Sequence, residues 1–457
     1  MEHTTDFTRG PIVGPLLRFS LPILLALFLQ ALYGAVDLLV VGKYAMAQDV
    51  SGVAVGSQIM GTITNLVSSF AMGTTILLGH KIGAGNREDG GRIIGTSIVF
   101  FLSVGALLTA LVPMSSGLMA TAMQAPEEAF AETRRYIMIC GAGSVMIVAY
   151  NVLGSIMRGL GDSKTPLMTV AIASVCNIAG DLLLVAVFHL GAAGAAIATV
   201  ASQTVSVLIS LLVLRRRELP FSFGRKELAI RRDVLLPMVR FGTPIALQDL
   251  LVGLSFLIIL AIVNTLGLIA SAGVGVAEKV CAFIMLIPAA FMQAMSAYVA
   301  QNHGAGKNDR AVRGLIISIG LSTAFGVVMF VLAFFHGDLL CSFFARDREV
   351  ILAGADYLRA YGIDCLLTCF LFCFIGFYNG LGYTGFVMAQ GIGAAFLIRI
   401  PVAYWMSRRT GELFKIGLSI PCSTVVQIIA CFIFFASIRA GLFGENQGLS
   451  RNEKMRR

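Results

Sequence analysis

The sequence predicts an all-α integral membrane protein of twelve transmembrane helices, arranged as two six-helix bundles related by a pseudo-two-fold axis along the membrane normal. Three observations carry that prediction. Of 457 residues, 57% are hydrophobic and only 13% charged, more apolar material than a soluble domain can hide in its core. Apolar segments of about 20 residues, enough to cross roughly 30 Å of hydrocarbon at 1.5 Å per residue, recur along the whole chain. The chain also repeats itself. GAG triplets begin at Gly83 and Gly304, a shift of 221 residues, and the same shift lays RGLGD (158–162) on NGLGY (379–383), while RFSLP (18–22) and RFGTP (240–244) lie 222 apart.

In order, the predicted spans are 16–41, 50–78, 93–113, 136–157, 166–187, 191–214, 241–264, 268–299, 314–335, 356–378, 385–406 and 414–436. The 15 polar residues before the first span contain no cleavable signal pattern, so that span is expected to be retained. Residues 1–214 form the first bundle, 215–235 a basic linker, and 236–457 the second bundle with a basic tail. Six spans per half is an even number, so the halves share one orientation and can rock about an interfacial cavity. The linker reads RRRELPFSFGRKELAIRRDV over 215–234; taken as cytoplasmic, it puts both termini on the cytoplasmic side of a lipid-embedded, multi-pass protein of the cell membrane. Lys and Arg favour the inner loops under this topology, with Arg408, Arg409 and Lys415 falling against the bias.

The net charge of +9 therefore reports orientation, and no nucleic-acid partner is expected. Nine cysteines sit in or beside spans without a paired framework, and Cys365, Cys369 and Cys373 make an i, i+4, i+8 stripe better suited to packing than to metal. His3, His80, His189, His303 and His336 form no metal-ligand spacing, so no metal, cofactor or enzymatic activity is expected. The glycines of GAGN and GLGD follow membrane helices and lack GK[ST], which fits tight turning rather than phosphate binding. With no nucleotide-binding domain in view, the energy for transport must come from an ion gradient or another protein.

The order and duplication of these motifs are specific. A proline followed by YxxxD in the first helix, GAGN after the second, RGLGDSKTP after the fourth, NxxxD in the fifth, and QNxGAGK and NGLGxT in the second half together resemble the multidrug and toxic compound extrusion (MATE) transporters, over nearly the whole chain. The resemblance implies two six-helix bundles around a V-shaped cleft. It also implies antiport of organic, often cationic and aromatic, small molecules against Na+ or protons, by a chain expected to act as a monomer.

The run ALYGAVDLLVVGKY (31–44) holds Asp37 inside a span, where a carboxylate costs roughly 2.5–3.5 kcal/mol on insertion scales and so calls for a partner or a task. Asn177 and Asp181 lie four apart, on one face of the fifth helix. Two carboxylates and a carboxamide on one cavity could ligate a monovalent cation or share a proton, because like-charge proximity and desolvation both favour taking up positive charge. The structural alternative has Asp37 capping its helix and Asp181 bonding Asn177. The resemblance implies that this Asp, Asn and Asp bind the coupling cation. Tyr33, one turn before Asp37, could donate to it or pack, and Pro22 removes a backbone donor and predicts a kink that serves as a hinge or stays static.

A second ion site is open in the other half, from Asp249, Glu278 and Asp364, with Lys279 as a built-in counter-ion for the last two. Phe28, Met60, Phe70, Phe256, Met285, Phe291 and Met292 are candidates to line the substrate cleft, since methionine and aromatic faces accept varied apolar and cationic ligands. A lipid-linked oligosaccharide flippase is the nearest alternative function. Its pyrophosphate would call for several buried cations, whereas Lys279 and Arg399 are the clear intramembrane ones here.

Overall fold

The computed structural model describes residues 5–216 and 223–454, with side chains as far as Leu442 except at Arg87, Glu88 and Arg225; the centre of the basic linker and the side chains of the basic tail lie outside the described residues. The first half contains α1 (Val13–Tyr44), α2 (Ala47–Gly83), α3 (Arg87–Ala122), α4 (Glu127–Ala142), α5 (Ser144–Gly159), α6 (Lys164–Asp181) and α7 (Gly191–Arg216). The second contains α8 (Arg232–Asn264), α9 (Leu268–Ile284), α10 (Leu286–Gly304), α11 (Asn308–Phe335), the short α12 (Gly337–Ser342), α13 (Arg348–Leu381), α14 (Thr384–Ala394), α15 (Ile400–Arg409), the short α16 (Leu413–Gly417) and α17 (Ser419–Lys454).

Among the described residues, eleven helical segments are each long and apolar enough to cross a bilayer, and a bent pair, α4 with α5, completes the predicted twelve. That fourth span is not the straight helix expected over 136–157. It breaks by 56° at Gly143, whose Cα has Val200 of α7 packed so closely that no side chain fits. Two π-helical turns interrupt later spans, Leu182–Val187 directly after α6 and Ala395–Arg399 between α14 and α15. Such turns carry one extra residue per turn and re-aim the side chains around them. Pro22 lies within α1, which continues as helix from Val13 to Tyr44 through it.

The chain folds as two compact units, one comprising Met1–Asp6 and Leu21–Ala246, the other Phe7–Ser20 and Leu247–Arg457. Both boundaries fall inside helices. α1 changes unit beside Pro22, and α8 changes unit two residues after Pro244, the two prolines that the duplication pairs.

In the second unit the start of the chain is clasped. Phe7 is fully buried against Phe19 and Tyr298, at ring-centroid distances of 5.0 and 5.4 Å. The Arg310 guanidinium donates to the carbonyls of Phe7 (2.7 Å), Arg9 (2.9 Å) and Gly10 (2.7 Å), satisfying backbone acceptors that precede α1.

In the first unit the opening turns of α8 are the clasped piece. Met238 is buried, its sulfur accepting from the Thr74 and Ser97 hydroxyls at 3.2 Å each. Backbone lies against backbone at Gly73 of α2, where a Cβ would run into Met238 and Gly242, and Gly242 in turn faces the backbone and ring of Phe70. Small residues that let helix backbones touch are how membrane helices gain contact energy when lipid competes for every apolar face.

Asp49 joins two helix starts in the same unit. Its Oδ1 accepts from Ala192 N at 2.9 Å and its Oδ2 from Met46 N at 3.2 Å, so one buried carboxylate holds free N–H groups at the beginnings of α7 and α2. Gly191, at φ +53°, presses against this carboxylate. Asp49→Ala is expected to lower stability by about 1–2 kcal/mol, the usual worth of such a cap, read as a fall in melting temperature of the purified protein.

Candidate ion-coupling site

α1 carries Asp37 into the first unit, where it is 5% exposed. α6 presents Asn177 and Asp181 from one face, at 1% and 0% exposed, and the π-helical turn begins at the residue after Asp181. Both side chains lie close enough to act on the Asp37 carboxylate without a hydrogen bond to it, so the three residues picked out from their spacing are neighbours. From α7, the Thr199 hydroxyl shares its one proton between Ala195 O at 3.0 Å and Asp37 Oδ2 at 3.4 Å.

What the trio lacks is positive charge and settled bonds. Asp37 Oδ1, both oxygens of Asp181 and both amide atoms of Asn177 are buried without a partner of hydrogen-bonding geometry. Buried acceptors of this kind are rare in folded proteins because each forfeits its solvation without return. Oxygens aimed at one another become mutually compatible when a proton or a small monovalent cation is placed among them. Among the described residues, no ion pair joins Asp37 or Asp181 to a Lys or Arg, so that charge has to come from outside the protein.

Tyr33 is half-buried near Gln203 of α7 and makes no hydrogen bond to Asp37, beside which Thr199 stands. Tyr136 of α4, 3% exposed, sits in the same neighbourhood. Sequence reasoning passed over Thr199, Gln203 and Tyr136. A signal for the α7 pair does exist: in GAAGAAIATVASQT (191–204), Thr199, Ser202 and Gln203 put polar groups at helical spacing on an otherwise small and apolar helix.

The second unit places its acids differently from the expectation. Asp249 is exposed on α8. Asp364 of α13 is 4% exposed, its Oδ2 accepting from Thr368 at 2.9 Å and its Oδ1 unpartnered; Glu278 of α9 is partly buried with Oε1 unpartnered. Lys279 is not their counter-ion. It is exposed and pairs with neither, because consecutive residues on a helix point about 100° apart. Arg399, 5% exposed, donates to the Ser423 and Ser255 hydroxyls, and among the described residues no ion pair joins it to Asp364 or Glu278.

Of the residues expected to line a cleft, Phe28 is exposed, and Phe70, Phe256, Met285 and Met292 are half-buried. Met60 and Phe291, at 5% and 4% exposed, are core side chains with little surface left for a ligand. The Cys365, Cys369 and Cys373 stripe is buried and reduced, with Cys369 packed on Gly326; among the described residues no cluster of three or more His, Cys, Asp or Glu is arranged to hold a metal ion.

Comparison with known proteins agrees with this architecture at full length. The chain is 26% identical to a Bacillus subtilis (strain 168) protein described as "Probable multidrug resistance protein YoeA", covering 91% of this chain and 92% of that one. To "Probable multidrug resistance protein YpnP" of the same organism it is 27% identical, over 94% and 96%. Among solved structures, one described as the outward-facing conformation of a multidrug resistance MATE family transporter superposes with a TM-score of 0.89 at 20% identity, covering 97% of this chain and all of that one. The family model described as MatE matches residues 22–183 and again 244–405, repeating the internal duplication at a shift of 222. Two matches that together span well over half of the sequence settle its membership: the chain belongs to the MatE family.

Proposed function

We propose that this protein is a secondary antiporter that exports organic, cationic or amphipathic small molecules from the cytoplasm in exchange for Na+ or protons. It does so as a monomer in the cell membrane, with both termini on the cytoplasmic side. The observation that carries this reading is the Asp37, Asn177 and Asp181 cluster, whose buried, unpartnered polar atoms face one another with no protein cation between them. Inward-moving ions fill the cluster and outward-moving substrate requires it to be refilled in each cycle, so two fluxes become one. Thr199 orients the Asp37 carboxylate. Pro22, beside the point where α1 passes from one unit to the other, lets the segment bearing Asp37 respond to occupancy.

The descriptions of the Bacillus subtilis relatives as multidrug resistance proteins support a drug-like substrate class over a lipid-linked sugar. Efflux of a fluorescent organic cation, followed in inverted vesicles with sodium and proton gradients imposed one at a time, tests the proposal. Transport should follow one or both gradients and stop when they collapse; transport indifferent to both would overturn it.

A further inference from the structure

Two arginines fall against the charge bias of the loops, and the ion site has no use for them. We propose that Arg408 and Arg409 form a binding site for an anionic phospholipid, whose headgroup phosphate their guanidiniums hold at the end of the span Thr384–Arg409. The proposal concerns the outer surface of the second unit and stands whatever the transported substrate is.

α15 ends in the run YWMSRRTG (404–411). Helix residues four apart share a face, so this run sets up two parallel pairs, Tyr404 with Arg408 and Trp405 with Arg409. Both pairs form: the Arg408 guanidinium carbon stands 5.4 Å from the centroid of the Tyr404 ring, and that of Arg409 5.3 Å from the Trp405 ring. The rings are 51% and 52% exposed, on a span that also leaves Leu397 74% exposed. Gly411, at φ +66°, turns the chain away just past the helix. Exposed Tyr and Trp at the end of an apolar span mark the level of lipid headgroups, where an amphipathic ring meets acyl chains at one end and water at the other.

The two charges there are unspent. Lys415, the third basic residue to break the bias, is taken by Glu412 at 2.8 Å. Among the described residues no ion pair joins Arg408 or Arg409 to an acid. Cations in the last turn of a helix answer its dipole, which explains a positive charge at this position but neither the rings nor the side of the membrane. The spans Arg232–Asn264, Leu268–Gly304, Asn308–Phe335, Arg348–Leu381 and Thr384–Arg409 lie between the basic linker and this cluster. Their number is odd, so the cluster is on the opposite side of the membrane from the linker, where positive residues are under-represented. A ring fixes the place of a guanidinium but offers no oxygen to its five N–H donors, and a planar fork of donors suits a phosphate bidentately. A free anion would use the charge alone; the exposed rings and the apolar face beside them suit a phosphate that carries acyl chains.

Trp405 is the only tryptophan of the chain, so its fluorescence reports on this site. The full-length protein is reconstituted in dioleoylphosphatidylcholine vesicles, and part of the lipid is replaced by phosphatidylglycerol or phosphatidylcholine with dibrominated acyl chains, which quench tryptophan on contact. At equal mole fraction the brominated phosphatidylglycerol should quench Trp405 more, and salt should weaken that preference. One basic residue at an anionic surface is worth about fivefold in affinity, the equivalent of roughly 1 kcal/mol, so the preference should fall about fivefold in Arg408→Gln or Arg409→Gln and about 25-fold in the pair. Both side chains are exposed and outside the ion pairs of the described residues, so the variants should fold; should the pair fail to, the two single variants decide. Equal quenching by the two lipids in wild type overturns the proposal, as does an undiminished preference in the variants. Inorganic phosphate, with sodium chloride of matched ionic strength as control, should not displace the quenching lipid; if it does, the site takes a free anion and the lipid assignment is wrong.

Discussion

Asp37→Asn is expected to abolish gradient-driven export while the protein still folds and inserts. The substitution preserves the size of the side chain and replaces a carboxylate oxygen by an amide, so the Thr199 contact survives and burial becomes less costly. What disappears is the second negative charge of the cluster. Without it an outside cation or proton has only Asp181 and two neutral groups to bind, and occupancy no longer responds to the gradient. Ion-dependent stabilisation should fall with transport: a ligand at a hundredfold excess over Kd contributes roughly 2.7 kcal/mol, and that contribution should vanish. Vesicle transport together with thermal unfolding with and without Na+, across a range of pH, checks both halves of the expectation. Asp181→Asn should behave in the same way. A variant that transports normally would remove Asp37 from the mechanism.

Gly73→Leu should be the most damaging substitution away from the charged groups. A side chain at position 73 has no direction in which to move, since what faces it is backbone, Met238 and Gly242 of α8, and not the flexible end of a side chain. Overfilling a packed site costs typically 1–3 kcal/mol and more where nothing can yield, so a loss of about 3 kcal/mol or more is expected here. It would be accompanied by displacement of Met238 from its contacts with Thr74 and Ser97. Size-exclusion profiles and the yield of folded protein report the loss, and Gly73→Ala should fall between wild type and Gly73→Leu. Unimpaired folding of Gly73→Leu would mean that α8 does not depend on this contact.

Hydropathy made the number of spans and the helical class legible before any coordinates, because membrane insertion imposes a length and a composition that a sequence cannot disguise, while the family was legible only through the resemblance of the ordered motifs. The Asp37, Asn177 and Asp181 meeting was legible for a similar reason: acids in spans are few, and i, i+4 spacing fixes a common face. Three things were hidden. The break at Gly143 falls at the Gly/Ser pair of GAGS (141–144), a composition that permits a kink without fixing its angle, and the close approach of Val200 there is a tertiary contact that no periodicity reports. Thr199 and Gln203 enter the site from a helix whose depth cannot be read from hydropathy. Lys279 is not a counter-ion to Glu278 or Asp364, and Arg399 is buried, because rise per residue gives depth but not facing, and a π-helical turn shifts facing in a way that no periodicity assuming 3.6 residues per turn anticipates.

Because α1 and α8 each begin in one unit and end in the other, neither half of this chain is a self-sufficient folding module. Residues 1–214 alone would carry Phe7 and Phe19 without Tyr298 to pack on and without Arg310 to bind the carbonyls before α1. They would also leave the small-residue surface around Gly73 uncovered, since Met238 and Gly242 belong to the other half. A six-span ancestor built on this plan could complete itself only by lending its first helix to a second copy and borrowing that copy's in return. Fusing two such copies would convert an exchange between molecules into a fixed feature of one, at an effective concentration set by the linker. The two exchanged helices are no longer equivalent: α1 carries Asp37, and α8 has Ile259 at the matching position.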